Sequence, residues 1–350
     1  MSELDRYHYD LPDELIAQQP IEPRDAARML VLERASGRIT HARVRDLPAF
    51  FAPGDLLVTN DTKVRPARLT GRREATGGRW EGLVLGIEAD RLQLIAKTRG
   101  RVSPGERIVL ADRLGADAAR LVLGERTDDG GWLATVETAA GAKITDPEAV
   151  LEAVGRVPLP GYIRRGEEGP GDRDRYQTVF AERVGSAAAP TAGLHFTPQL
   201  LAGCRDAGMG HARVTLHVGL GTFRPIAVES LADHRMHAEW CECPPETAAA
   251  ITAARAAGRR VLAVGTTTVR TLESAAAADG VFRGPTELFI QPGFSFRAVD
   301  CLLTNFHLPR TTLLVLVSAL VGRERMLAAY KEAIRHRYRM LSYGDAMLIL

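Results

Sequence analysis

Three histidines stand in segments built for turning. His195 lies in APTAGLHFTP, residues 189–198, between two prolines. His217 opens HVGLGTFRP, where Gly219 and Gly221 follow, and His307 lies in LTNFHLPRTT, two residues before Pro309. Histidine has an unperturbed pKa of about 6.5, so it can take or give a proton near neutral pH. A lone histidine among apolar neighbours is more often a structural group. Three of them in unusual turns shift the expectation toward proton transfer, with His195, His217 and His307 as the candidate catalytic residues.

A second kind of chemistry is written in AVGTTTVRTLES, residues 263–274. It reads as strand, glycine, three threonines and helix. A helix N-terminus carries free N–H groups and a partial positive charge, which suits a carboxylate or phosphate. One threonine would suffice as a cap, so Thr266, Thr267 and Thr268 together point to a ligand. Arg270 and Glu273, three apart on that helix, are spaced to pair with each other. The segment lacks the Gly-Lys-Ser/Thr ending of a P-loop. GLGTFR starts like a dinucleotide fingerprint, but Arg224 stands where the third glycine belongs.

DHRMHAEWCEC, residues 233–243, offers His234, His237, Cys241 and Cys243, a zinc-like set. The spacing is cramped and Cys-x-Cys is unusual for a structural site, so no metal is expected. Residues 323–339 carry six Lys/Arg against two Glu, either a solvated helix face or a track for a phosphate backbone. Arg65, Arg68, Arg72 and Arg73 form a second basic group. Neither the Gly-x-Ser-x-Gly nor the His-Glu-x-x-His hydrolase signature occurs.

These segments need elements to hold them. Residues 56–59 read as a buried strand. From Arg65 to about Glu137 short strand-like runs alternate with Gly, Asp and Pro-Gly turns, and no helical pattern interrupts them. That texture predicts a small β-barrel or sandwich. Afterwards strands and helices alternate, as in an α/β sheet. Asp146-Pro147 and Thr197-Pro198 are helix starts, and Gly155 and Gly208 are stops. The predicted fold is an α/β domain, 1–63 and 141–350, with a β-barrel inserted at 64–140. RRGEEGPGDRDR, residues 164–175, reads as a mobile charged loop. In open α/β sheets ligands gather at the carboxyl ends of the strands, where His217, Thr266 and His307 would lie.

The 350 residues carry a net charge of +2, so any RNA contact must come from local patches. Four cysteines suggest no disulfide framework, and the longest apolar run, 313–321, is too short to span a bilayer. The expectation is a reduced, cytoplasmic protein.

Taken in order, YDLPDELIAQQPIEPRDAARMLVL, GDLLVTNDTKVRPARL, APTAGLHFT, TLHVGLGTF, DHRMHAEW, VGTTTVRTLES, TNFHLPRTTLLVLVSA and YGDAM resemble the S-adenosylmethionine:tRNA ribosyltransferase-isomerases of queuosine biosynthesis. The resemblance covers essentially the whole chain and is weakest in the barrel and in 164–175. It implies an enzyme that moves the ribosyl part of S-adenosylmethionine onto 7-aminomethyl-7-deazaguanine at the tRNA wobble position. The products would be epoxyqueuosine in tRNA, adenine and methionine. S-adenosylmethionine would be a consumed substrate, with no metal, and the chain a monomer.

Under that resemblance, Thr191, Gly193, Phe196, Gly219, Gly221, Thr222, Phe223, Thr266, Thr267, Thr268, Arg270, Glu273 and Asn305 are the expected substrate contacts. Phe196 or Phe223 would face the sulfonium cation, Thr266 to Thr268 the methionine carboxylate, and Asn305 the base. Arg65, Arg68, Arg335 and Arg337 would hold the anticodon stem-loop. The rival readings are an RNA methyltransferase, a non-catalytic RNA-binding protein and a zinc hydrolase.

Overall fold

The computed structural model describes residues 3–127, 130–219 and 230–350. In chain order the first strands are β1 (Arg28–Leu32), β2 (Ile39–Arg43), β3 (Leu56–Asn60) and β4 (Thr62–Val64). The barrel strands follow: β5 (Arg68–Arg73), β6 (Arg79–Glu88), β7 (Arg91–Thr98), β8 (Arg107–Ala111), β9 (Asp117–Arg126), β10 (Trp132–Glu137) and β11 (Lys143–Ile144). Next come α1 (Pro147–Val154), α2 (Asp172–Arg175), β12 (Arg183–Ser186), α3 (Pro198–Asp206), β13 (Gly210–Leu216), β14 (Glu239–Cys243), α4 (Pro245–Ala256) and β15 (Val261–Val264). The rest is α5 (Thr266–Ala276), β16 (Phe282–Thr286), β17 (Cys301–Asn305), α6 (Thr312–Val321), α7 (Arg323–Arg335) and β18 (Ala346–Ile349).

Two sheets dominate. The larger runs β16-β14-β13-β3-β15-β17-β18-β1-β2. Its centre, β13, β3, β15 and β17, is parallel. β18 then runs antiparallel to β17 and parallel to β1. The smaller sheet runs β10-β7-β6-β5-β8-β9 and closes through β9 and β10, with β11 added beside β10. Closure leaves this six-stranded barrel without an open edge. Its apolar interior takes in Trp80, Leu94, Leu121 and Trp132, and α1 plugs it with Val150, Leu151 and Val154. The predicted class, an α/β domain with an inserted barrel, is the observed one.

The large sheet is buried on both faces, so every residue of β3, β15 and β17 is buried, and β3 and β17 each end their apolar run in a buried Thr-Asn. Alternate residues go to opposite sides. Leu30, Val58, Ala263 and Leu302 meet Val269 of α5, Leu316 of α6 and Tyr330 of α7. Val31, Leu57, Leu262 and Leu303 meet Val44, Leu47 and, from α3, Leu200 and Cys204. The helix starts follow the sequence: Asp146 accepts from the Ala149 N–H and Thr197 from the Leu200 N–H.

Residues 164–175 depart from expectation. They are tied down rather than loose, because Asp172, 2% exposed, takes an ion pair from Arg164, the Gly169 N–H at 2.7 Å and the Tyr343 hydroxyl at 3.0 Å.

Candidate active site

The parallel strands end together, and their carboxyl ends form one edge. Asn60 closes β3 there, His217 follows β13, Gly265 follows β15 and Asn305 ends β17. Because β18 is antiparallel, it brings its leading residues, Gly344 and Asp345, to the same edge.

His195 lies fully buried in a tight 3-10 turn, Thr191–His195. Its Nδ1 is 3.1 Å from the Ala192 carbonyl oxygen and its Nε2 3.0 Å from that of Gly344. Burial, aided by the nearby Arg24 charge, lowers its pKa to about 4, although both carbonyls pull the other way. The ring is therefore neutral at pH 7, with one N–H for two acceptors. Asn305 makes a second stitch between the same loops. Its Oδ1 accepts from Thr191 Oγ1 at 2.8 Å and its Nδ2 donates to the Leu341 carbonyl at 3.2 Å. Gly193 is required by packing: a Cβ there would lie 2.8 Å from Phe180 Cζ.

Gly265 leads into α5 at φ 89°, a region that L side chains rarely adopt, and a Cβ there would meet that of Ala192 at 3.5 Å. No side chain caps α5. Thr268 turns its hydroxyl back to the Val264 carbonyl at 2.7 Å, and Thr267 accepts from Asn60 Nδ2 at 3.2 Å. The first-turn amides of α5 are thus left without a side-chain cap.

His217 occupies a different station. Its Nδ1 is 2.8 Å from Thr62 Oγ1, and its ring stacks on Trp240 at 5.2 Å between centroids. It is half-buried, and burial, then Arg65 and Arg183, lowers its pKa. Two strands separate β13 from β17, so strand spacing alone puts His217 roughly 14 Å from the end of β17. His307 belongs to the opposite face of the sheet from His195. Its Nε2 is 2.9 Å from Thr304 Oγ1, its N–H donates to Tyr330 Oη at 2.9 Å, and Tyr9 donates to its carbonyl. Burial lowers its pKa to about 4 as well. The three histidines are therefore three separate stations, not one triad.

Other expected contacts turn out differently. Phe196 is core: it is 2% exposed and meets Phe180 edge-on, so it offers no face to a cation. Arg270 pairs not with Glu273 but with buried Glu239, which also accepts the Gly219 N–H at 2.8 Å. Glu273 instead accepts the N–H groups of Arg297, Ala298 and Val299 at 2.9 to 3.0 Å. Both side chains point inward from α5, so a pairing expected from spacing on an exposed helix face does not arise. Gly221, Thr222 and Phe223 lie outside the described residues.

The basic group beside the barrel is neutralised within the chain. Arg65 pairs with Glu148 at 2.6 Å, Arg68 with Glu81 at 3.2 Å, and Arg72 and Arg73 with Asp117 and Glu106. Arg335 and Arg337 are exposed, Arg335 spanning both oxygens of Glu332. The zinc-like set does not assemble. Cys241 and Cys243 alternate onto the buried face of β14, and His234 packs on the Phe289 ring. Among the described residues the group with metal-ligating geometry is His41, Glu332 and His336, whose carboxylate Arg335 already holds.

Sequence reasoning passed over Asn60, which clamps the end of β13 through the Leu216 N–H and carbonyl, each at 3.0 Å. It also passed over Thr62 and Trp240. The signal was the polar run TNDT, residues 59–62, directly after the apolar Leu56–Val58.

An α/β sheet with polar loops and neutral histidines at its carboxyl edge, and a barrel let into the chain, has the build of an enzyme for a polar small molecule. The chain belongs to the queuosine biosynthesis protein family, whose sequence profile matches residues 4–349. It is 52% identical, over 99% of both chains, to the S-adenosylmethionine:tRNA ribosyltransferase-isomerase of Symbiobacterium thermophilum. It is 51% identical, over 99% of both, to the enzyme of that name from Moorella thermoacetica. The crystal structure of S-adenosylmethionine tRNA ribosyltransferase from Thermotoga maritima matches 99% of this chain and 100% of its own, at 36% identity and a TM-score of 0.56.

Proposed function

We propose that this chain transfers and isomerises the ribosyl part of S-adenosylmethionine onto 7-aminomethyl-7-deazaguanine at the wobble position of tRNA. Epoxyqueuosine in tRNA, adenine and methionine leave. The observation that carries the reading is 52% identity across 99% of both chains with an enzyme of that name. The fold and the polar strand edge accord with it.

The chemistry asks for a base at the carbon next to the sulfonium and a proton for departing adenine. It also asks for a neutral acceptor amine. His217 is the better candidate base. Thr62 can accept its Nδ1 proton, which leaves Nε2 as a lone pair on a half-buried ring. His195 has both ring nitrogens on backbone carbonyls, so its proposed role is to hold the 191–195 turn against Gly344. The α5 amides would donate to polar groups of the substrate. We further take S-adenosylmethionine as a consumed substrate with no metal, and the enzyme as a cytoplasmic monomer. No helix among the described residues is long and apolar enough to cross a membrane.

The test is incubation with S-adenosylmethionine and tRNA bearing the precursor base. Free adenine and a modified nucleoside are expected. Adenosylhomocysteine in place of adenine would make it a methyltransferase.

A further inference from the structure

Arg24 precedes β1 in a 3-10 turn, Arg24–Ala26. Of its five N–H donors, Nε is spent on the Leu194 carbonyl at 2.8 Å. Both terminal nitrogens are buried and have no hydrogen-bond partner among the described residues. Burial lowers the guanidinium to about 10, so it remains charged at neutral pH. An enclosed charge without a counterion is costly, and such a group calls for an explanation.

The surroundings sharpen it. Arg24 Cζ lies 5.8 Å from the Tyr343 ring centroid, a weak compensation. Two carboxylates are near enough to act on it, Glu22 and Asp345, together with the Arg339 charge. Both are engaged elsewhere. Glu22 faces Arg175 at 3.4 Å. Asp345 accepts from the Arg28 N–H at 2.8 Å, from Arg28 Nε at 3.2 Å and from the Arg339 N–H at 2.8 Å. Asp345 is thus taken by the Arg28 side chain and two backbone N–H groups, and the Arg339 guanidinium donates to the Gln19 carbonyl, so Arg24 has no carboxylate of its own. Thr178, whose methyl abuts Gly193, has a buried hydroxyl that also lacks a partner. All of this borders the seam between the 191–195 turn and the 341–345 loop.

We propose that Arg24 is an oxyanion receptor at that seam, and that the anion is the carboxylate on the amino-acid arm of S-adenosylmethionine. The ligand's identity rests on the function proposed above. A planar guanidinium fork matches the two oxygens of a carboxylate. The α5 N-terminus is the weaker rival for this group. Thr268 has spent its hydroxyl proton on the Val264 carbonyl and Thr267 accepts from Asn60, so the site offers neutral hydroxyl and amide donors but no full charge. An RNA phosphate fits less well, since nitrogens this enclosed suit a small anion better than a polymer backbone.

The experiment compares S-adenosylmethionine with its decarboxylated analogue, by calorimetry on the full chain without tRNA. Wild-type protein is expected to prefer the carboxylate-bearing compound by about 10- to 100-fold. Arg24→Met should reduce that preference to within about threefold, and Arg24→Lys should keep part of it. Circular dichroism and melting temperature show that both variants fold. If Arg24→Met does not fold, the preference in Arg24→Lys decides, and an undiminished preference there overturns the proposal. A full preference in folded Arg24→Met overturns it. In a separate titration of Arg24→Met with tRNA, weaker binding with a shallower salt dependence, the preference being intact, also overturns it and makes the anion a phosphate. Folded wild-type protein that binds neither compound, alone or with precursor tRNA present, would instead overturn the proposed function.

Discussion

The imidazole of His195 spans the gap between the Ala192 carbonyl and the Gly344 carbonyl, 3.1 and 3.0 Å away. Two loops separated by about 150 residues of chain are joined through one ring. His195→Ala should leave a buried carbonyl unpaired and cost about 1–3 kcal/mol in a denaturant titration. His195→Gln, which can still donate to one of them, should cost less. Equal stability of the alanine variant and wild type would remove the stitch.

His217→Ala should lower kcat by about 10²- to 10⁴-fold while the melting temperature moves little, because the ring is half-buried at the strand end. Adenine release and ribosyl transfer, measured separately, should fall together if the ring takes the first proton. Turnover near wild type would rule out the base role.

Acid should weaken the fold through its histidines. Burial holds His195 and His307 at about 4 in the folded chain, below the unfolded value of about 6.5. The folded state therefore binds fewer protons between those values. Their stabilisation is complete above pH 6.5 and is lost as the pH falls toward 4. Each contributes up to about 1.4 kcal/mol per pH unit in that window. Replacing His195 by Gln should flatten the measured stability–pH slope there, and an unchanged slope would contradict the neutral assignment.

The Arg270–Glu239 pair is 5% and 2% exposed in its side chains and also fixes Gly219. Glu239→Gln should destabilise by about 3–5 kcal/mol, since it leaves a buried guanidinium uncompensated. Changing both partners to Met should recover much of that loss. A single variant as stable as wild type would show the pair to be dispensable.

Salt dependence should separate the two basic groups. Arg65→Gln and Arg68→Gln should leave the salt slope of tRNA affinity nearly unchanged, as both charges are already paired in the chain. Arg337→Gln should lower the slope by about one unit if that exposed residue meets a phosphate. The reverse pattern would put the RNA on the barrel side.

The pattern of local signals carried far. Asp146 and Thr197 cap their helices because capping is settled within four residues. Alternation and turn chemistry announced the barrel. The failures all involve direction or distance. Arg65 looked free because Glu148 lies 83 residues on, and Arg270 looked bound to Glu273 because Glu239 arrives from another strand. Arg24 could not be singled out, since being unpartnered is a property of its neighbours.

The strand order has a consequence in time. β18 follows every other strand of the sheet in sequence, yet it lies between β17 and β1 in the interior of the sheet. Met29 and Ala346, neighbours across that ladder, are over 300 positions apart. A chain emerging from the ribosome therefore holds its first hairpin in waiting until residues 346–349 are threaded home. Gly344 and Asp345, which complete the seam around His195 and Arg24, come with them. Nascent chains should have no finished seat for substrate, so a half-made enzyme cannot sequester it. Such long-range closure also predicts slow folding.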